Sequence, residues 1–163
     1  MGTFNAKILA EFQPPRKWKL GRDLTYSTKE LMGDEIKALK DVGVKVNRDT
    51  DISPVDITVP TEFITDLAST PRLLWAFIAP FDVARAAIVH DLLYKTIRQY
   101  RWNKGDIEED KTLIKKAKVV ADKVFRLAMK DAQPKVSGWK IYSAWKAVDL
   151  FGRWSIIPNE KNI

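Results

Sequence analysis

"AAIVHDLLYKTIRQYRWNKGDIEEDKTLIKKAKVVADKVF", residues 86–125, decides the fold. Two helical patterns flank the turn signal "WNKGD" (102–106). The first predicts a helix over roughly 82–98, capped by Asp82, with Val83, Ala86, His90, Leu93, Tyr94 and Ile97 on one face. The second predicts a helix over roughly 107–132, with Leu113, Ala117, Val120, Ala121, Val124 and Ala128 on one face. The turn sends the second helix back antiparallel to the first. His90, the one histidine of the chain, sits at the centre of the first apolar face, and Asp122 lies at the margin of the second. A carboxylate there can reach across to the imidazole, fix its tautomer and stabilise its charged form, as a general base requires. Tyr94, four residues after His90, can touch its ring, and Asp91 points to the side, where it can hold a cation or a substrate group. A plainer reading stands beside this one: His90 as a satisfied core histidine, and Asp122 as a surface partner of Lys118 or Arg126, each four residues away.

After this pair, Pro134 ends the long helix, Ser137 caps a last one over roughly 138–151, Gly152 stops it, and 153–163 reads as an extended tail. Before it, "PRLLWAFIA" (71–79) predicts a short helix with Pro71 at its first turn and Pro80 as its break. Residues 1–60 read as mainly β. "FNAKILAEF" (4–12), "WKLGRDLTY" (18–26), "VKV" (44–46) and "VDITV" (55–59) are strand-like, with a helix inserted near 28–43 that starts at Thr28 and stops at Gly43. Strands first and helices after give an α+β class: antiparallel N-terminal strands, then three to four helices over 69–152, in a single domain.

Composition narrows the chemistry. The chain has 163 residues, no cysteine, one histidine and six tryptophans. Thiol nucleophiles, disulfides and Cys-ligated metals are excluded, and a metal held mainly by oxygen would be Ca²⁺ or Mg²⁺, with Asp91 and Asp66 as its ligands. The net charge of +7 favours anionic partners such as nucleic acid, phospholipid or cell-wall polymer. No signal peptide is visible, and the longest apolar run, "LLWAFIAPF" (73–81), is too short to span a bilayer. The expected location is the cytoplasm of the cell that makes the chain, with entry into a particle only by assembly.

"TDLASTP" (65–71) is the second polar cluster. Ser69 or Thr70 can cap the helix that follows, and Asp66 can form an Asx-turn. The same geometry can serve chemistry. Thr65, Thr70 and the helix N-terminus can meet an anion or oxyanion, Asp66 can reach towards His90 or a cation, and Ser69 is a candidate nucleophile, although it lacks a G-x-S-x-G elbow.

"WKLGRDLTY", "ITVPTEFITDLASTPRLLW", "AAIVHDLLY", "ADKVFRLAM" and "YSAWKAVDLFG" follow in an order that resembles a family of short proteins from tailed bacteriophages and prophages with no assigned activity. The likeness runs over most of residues 16–154, through V-P-x-x-F-x-T-D-x-A-S-x-P and H-D-x-x-Y above all. This chain departs from the pattern by a longer segment at about 28–54 and a Trp–Lys pair within the last motif. The resemblance implies a phage origin and singles out Asp66, Ser69, His90, Asp91, Tyr94 and Asp122. At the level of the site, H-D-x-x-Y on one helix with an aspartate on its antiparallel neighbour is similar to secreted phospholipase A2. That likeness implies water activation by His90, cation binding by Asp91, orientation of His90 by Asp122, and a supporting hydrogen bond from Tyr94. The glycine-rich calcium loop and the disulfides of phospholipase A2 are missing.

Three functions fit these residues. The first is a small hydrolase of an envelope ester or amide, phospholipase-like or acting on the cell wall, with a His90–Asp122 pair activating water. The second is a non-enzymatic virion or assembly protein. There the His/Asp/Ser cluster is structural, and exposed Trp102, Trp139 and Trp154 contact other virion proteins. The third is a binder of nucleic acid or a host factor through Lys115, Lys116, Lys123, Arg126 and Lys130 on the outer face of the long helix.

Overall fold

The computed structural model describes residues 1–15, 17–65, 80–104, 110–160 and 162–163, with the side chains of its second helix from Val83 onward. Strict alternation builds the centre of the first sheet. In β4 (Leu24–Thr28) and β6 (Val55–Val59) every second residue is buried. The antiparallel register then sets Leu24 opposite Val59, Tyr26 opposite Ile57 and Thr28 opposite Val55 on one apolar face. Short strands β1 (Thr3–Phe4) and β5 (Val46–Asn47) complete the order β1-β4-β6-β5. A second antiparallel sheet, β2-β3-β7, is formed by Ala10–Gln13, Lys17–Leu20 and Ile64–Thr65. The stretch read as one strand over 4–12 is thus divided between two sheets.

Four helices follow the pattern of the sequence, with shifted ends. α1 spans Gly33–Asp41. Thr28 does not start it: Thr28 is the last residue of β4, and its hydroxyl accepts the Glu30 N–H at 3.2 Å, turning the chain away from the sheet. The Glu35 carboxylate accepts the Met32 N–H at 2.8 Å and satisfies a donor at the helix start. Gly43 stops α1 as expected, in the positive-φ conformation that glycine tolerates. α2 (Pro80–Lys104) carries Asp82 within the helix rather than as its cap, and continues past the predicted end near 98. α3 is Lys111–Lys130. α4 is Gly138–Ser155; it passes through Gly152 instead of stopping there, so the first residues of the expected tail are helical. The predicted helix at 71–79 lies outside the described residues.

The architecture is α+β in one domain: among the described residues, antiparallel strands form two sheets, α1 is inserted between β4 and β5, and three helices follow the last strand. The buried face of the first sheet packs on α2, α2 on α3, and α3 on both α4 and α1. His90 bonds to Asp122 and Tyr100 to Asp110, so partner numbers fall along α3 as they rise along α2, and the two helices are antiparallel. Phe125, Ala121, Val124 and Ala128 of α3 have no exposed surface at all. The two helices therefore carry the core, and whatever sits between them is held rigidly. No helix among the described residues is long and apolar enough to cross a membrane.

Candidate functional site

The α2–α3 seam is apolar except at one level. There Nε2 of His90 lies 3.0 Å from Oδ1 of Asp122, and the Tyr94 hydroxyl donates to the same oxygen at 2.7 Å. The helical spacing of His90 and Tyr94 stacks their rings, with centroids 4.0 Å apart, and the Phe125 ring closes the other side at 4.9 Å. Among the described residues, Nε2 carries the one hydrogen bond of the His90 ring. The predicted contact between His90 and Asp122 is therefore present, with Tyr94 joined to it. The cluster is buried: His90 is 4% exposed and Asp122 is 2% exposed.

A cation that sequence reasoning did not place in the site completes it. Lys118 lies one turn before Asp122 on α3, and its ammonium is 2.7 Å from Oδ2. That oxygen is otherwise without a donor, and Lys118 meets it as an ion pair off the hydrogen-bond direction. Lys118 also donates to the Asp149 carbonyl at 2.8 Å and lies 3.5 Å from its carboxylate, tying α4 into the network. The pairing of Asp122 with Lys118 expected at the surface is thus real but buried, because α4 covers it. Arg126, the other expected partner, instead stacks over the Trp145 ring at 4.8 Å. Gly152 lets α4 approach. A Cβ there would lie 2.0 Å from the Tyr94 hydroxyl and 3.1 Å from Lys118 Cε.

These contacts set the charge states. Burial alone pushes the Asp122 carboxyl up. The hydrogen bond with His90, the Lys118 ammonium and the Tyr94 hydroxyl outweigh it and hold Asp122 below the usual carboxylate value. Tyr94 is pushed well above an ordinary phenol, first by burial and then by the Asp122 charge, so its proton stays on as a donor. The seam therefore holds an ionised carboxylate surrounded by donors.

Asp91 faces elsewhere, as its position on the helix predicts. Its Oδ2 accepts from the buried Thr65 hydroxyl at the end of β7. Both residues line an open hollow of about 410 Å³, together with Phe63, Lys17, Lys95 and Arg98. Arg98 donates to the Asn162 carbonyl at 2.7 Å, and Lys95 lies over the Phe63 ring. His90 does not line this hollow. Asp66, Ser69 and Thr70 lie outside the described residues. No group of three His, Asp or Glu side chains able to hold a metal forms among the described residues, and Thr65 brings Asp91 a donor rather than a further ligand.

The outer face of α3 is partly consumed by α1: Lys116 pairs with Asp34 at 2.9 Å and Lys123 with Glu35 at 2.8 Å. The row of five cations read from the sequence is therefore interrupted.

No curated protein and no solved structure matches the chain. A family model described as "Protein of unknown function (DUF1353)" matches residues 41–148, which include β6, the Thr65–Asp91 contact and His90, Tyr94, Lys118 and Asp122, and the chain belongs to that family.

Proposed function

We propose that the chain is a phage-encoded hydrolase of an ester or amide in the bacterial envelope, made in the host cytoplasm. The observation that carries this reading is the division of labour around His90. Nε2 is held by Asp122, which the Tyr94 hydroxyl also anchors, while the next residue, Asp91, lines an open polar hollow. In this reaction Nδ1 of His90 takes a proton from water as the water oxygen bonds to the carbonyl carbon. The imidazolium then returns that proton to the leaving oxygen or nitrogen as the scissile bond breaks, and Asp122 stabilises the charge that His90 carries in between. Lys17, Lys95 and Arg98 give the hollow beside Asp91 a positive potential that favours an anionic group of the substrate. The resemblance to phage proteins and the site-level likeness to phospholipase A2 support the same reading. The test is turnover of a fluorogenic phospholipid and of a peptidoglycan amide by wild type, His90→Ala and His90→Gln, with folding followed by circular dichroism. Loss of turnover in a folded variant is expected; folded variants hydrolysing at the wild-type rate would sink the proposal.

A second reading is favoured by the burial of the network. A carboxylate linked to α2 through His90 and Tyr94, and to α4 through Lys118, can serve purely to lock three helices in a virion or assembly protein. In that case Asp122→Ala lowers the melting temperature steeply, and no substrate is turned over even by wild type.

A further inference from the structure

The solvent face of α4 is not that of an ordinary surface helix. Trp139 and Trp154 are 56% and 54% exposed, and Leu150 is 51% exposed between them. At 100° per residue these three fall within a narrow stripe diametrically opposite the buried Ile141, Ala144, Val148 and Gly152. The two indoles sit about 22 Å apart at the two ends of the helix. Tyr142 and Phe151 flank the stripe and Ile157 continues it, each about half exposed. Scattered exposed apolar residues need no explanation, but several large ones sharing one helix face do, even with Ser143 and Lys146 set among them.

Charge accompanies the row. Arg153 stacks over the Trp154 ring at 4.2 Å, and Lys146 lies over the neighbouring Trp145 ring. Arg153 also lines a second hollow of about 230 Å³, shared with Arg101, Lys111, Lys115 and Lys118 and with no carboxylate among its described lining residues. Lys118 is committed to Asp122 and Asp149, whereas Lys115 is exposed. Indoles at the two ends of the helix, exposed Leu150 between them with Ile157 beyond, and cations at the edge suit a lipid surface with anionic headgroups. Exposed Leu150 and Ile157 would gain little from a nucleic acid, which offers stacking and phosphates but no apolar layer.

We infer that α4 lies in the plane of an anionic phospholipid surface, with Trp139, Leu150 and Trp154 entering the headgroup layer and Arg153 and Lys115 meeting lipid phosphate. This requires no chemistry and goes beyond the hydrolase reading. Co-sedimentation with vesicles of phosphatidylcholine carrying about one third phosphatidylglycerol tests it, with pure phosphatidylcholine vesicles as the reference. Wild type is expected to bind the anionic vesicles at least tenfold more tightly and to lose that preference as salt rises. Lys115→Glu with Arg153→Glu should weaken binding by at least about 25-fold, since each cation near an anionic surface contributes about fivefold. Trp139→Ala with Trp154→Ala should weaken binding to both kinds of vesicle, while Ile52→Ser, at a distant exposed site, should change nothing. Equal binding to the two vesicle types, or wild-type binding by the double tryptophan variant, overturns the inference. A wild-type dimer that the same tryptophan substitutions dissociate also overturns it, by assigning the face to a second copy. His90→Ala keeps vesicle binding, so failure of the hydrolase reading and failure of this one are seen separately.

Discussion

Gly152→Ala inverts the usual expectation for a glycine inside a helix. On intrinsic propensity alone the substitution stabilises by about 1 kcal/mol, because alanine is the better helix former. Here the new methyl would lie 2.0 Å from the Tyr94 hydroxyl and 3.0 Å from its ring carbon, well inside contact distance. The methyl both crowds the α4 seam and turns Tyr94 away. Forcing extra volume into a packed seam costs roughly 1–3 kcal/mol. Displacing the Tyr94 hydroxyl from Asp122 also loses a hydrogen bond to a charged acceptor, roughly 1.5–3 kcal/mol. After the propensity gain, the net loss is about 1.5–5 kcal/mol. Urea unfolding should show a lower midpoint with an unchanged slope, and thermal melting a fall of roughly 2–4 °C per kcal/mol. In a Tyr94→Phe background the closest atom is gone and the penalty should shrink, so the double-mutant cycle reads the contact directly. Gly152→Ala as stable as wild type, or equally costly in both backgrounds, would refute the packing of α4 on the site.

Three further outcomes follow from the same network and core. Asp122 has a folded-state value below its unfolded one, so its contribution to stability is full above about pH 4 and is lost as pH falls through the folded value; the stability gap between wild type and Asp122→Asn, measured by urea unfolding, should narrow in acid, and a gap that widens would contradict the assignment. Lys118→Met leaves the buried Asp122 without its ammonium and should cost about 3–5 kcal/mol by urea unfolding, and adding Asp122→Leu should not recover that loss, because it strands the buried His90 and Tyr94 donors. Tyr26→Phe removes the donor that reaches the Asp131 carboxylate at 2.8 Å, where the Gly2 N–H also donates, and should lower stability by roughly 1.5–3 kcal/mol in the same assay.

The parts of the fold set by period were legible in the sequence. Alternation in "VDITV" and the 3.6-residue stripes on either side of "WNKGD" depend on neighbours close in the chain, and they brought His90 opposite Asp122 before any coordinates. What was missed depends on contacts between elements distant in sequence. Lys118 reads as a surface partner because nothing local shows that α4 will cover it. Gly152 reads as a helix stop because the close approach it permits is visible only once Tyr94 lies beneath it. The strand ending at Thr28 was misread as a helix start, since Thr is an N-cap residue by composition and pairs with Val55 only through a partner 27 positions on. Strand β7 was missed for the same reason: two residues, Ile64 and Thr65, gain their pairing from Trp18 and Lys19.

Lys118 is also where the two readings of the site part. The two oxygens of Asp122 are divided, one serving His90 and Tyr94, the other facing the ammonium. A counter-ion already in place reduces what the carboxylate can add when His90 gains a proton, which favours the locking role. Yet the same ammonium helps keep a carboxylate with 2% exposure ionised, and a neutral acid at that position could not orient a general base. Without Lys118, burial would work against ionisation with only His90 and Tyr94 opposing it. The cation that makes the network a strut is therefore also what keeps Asp122 competent to act on His90.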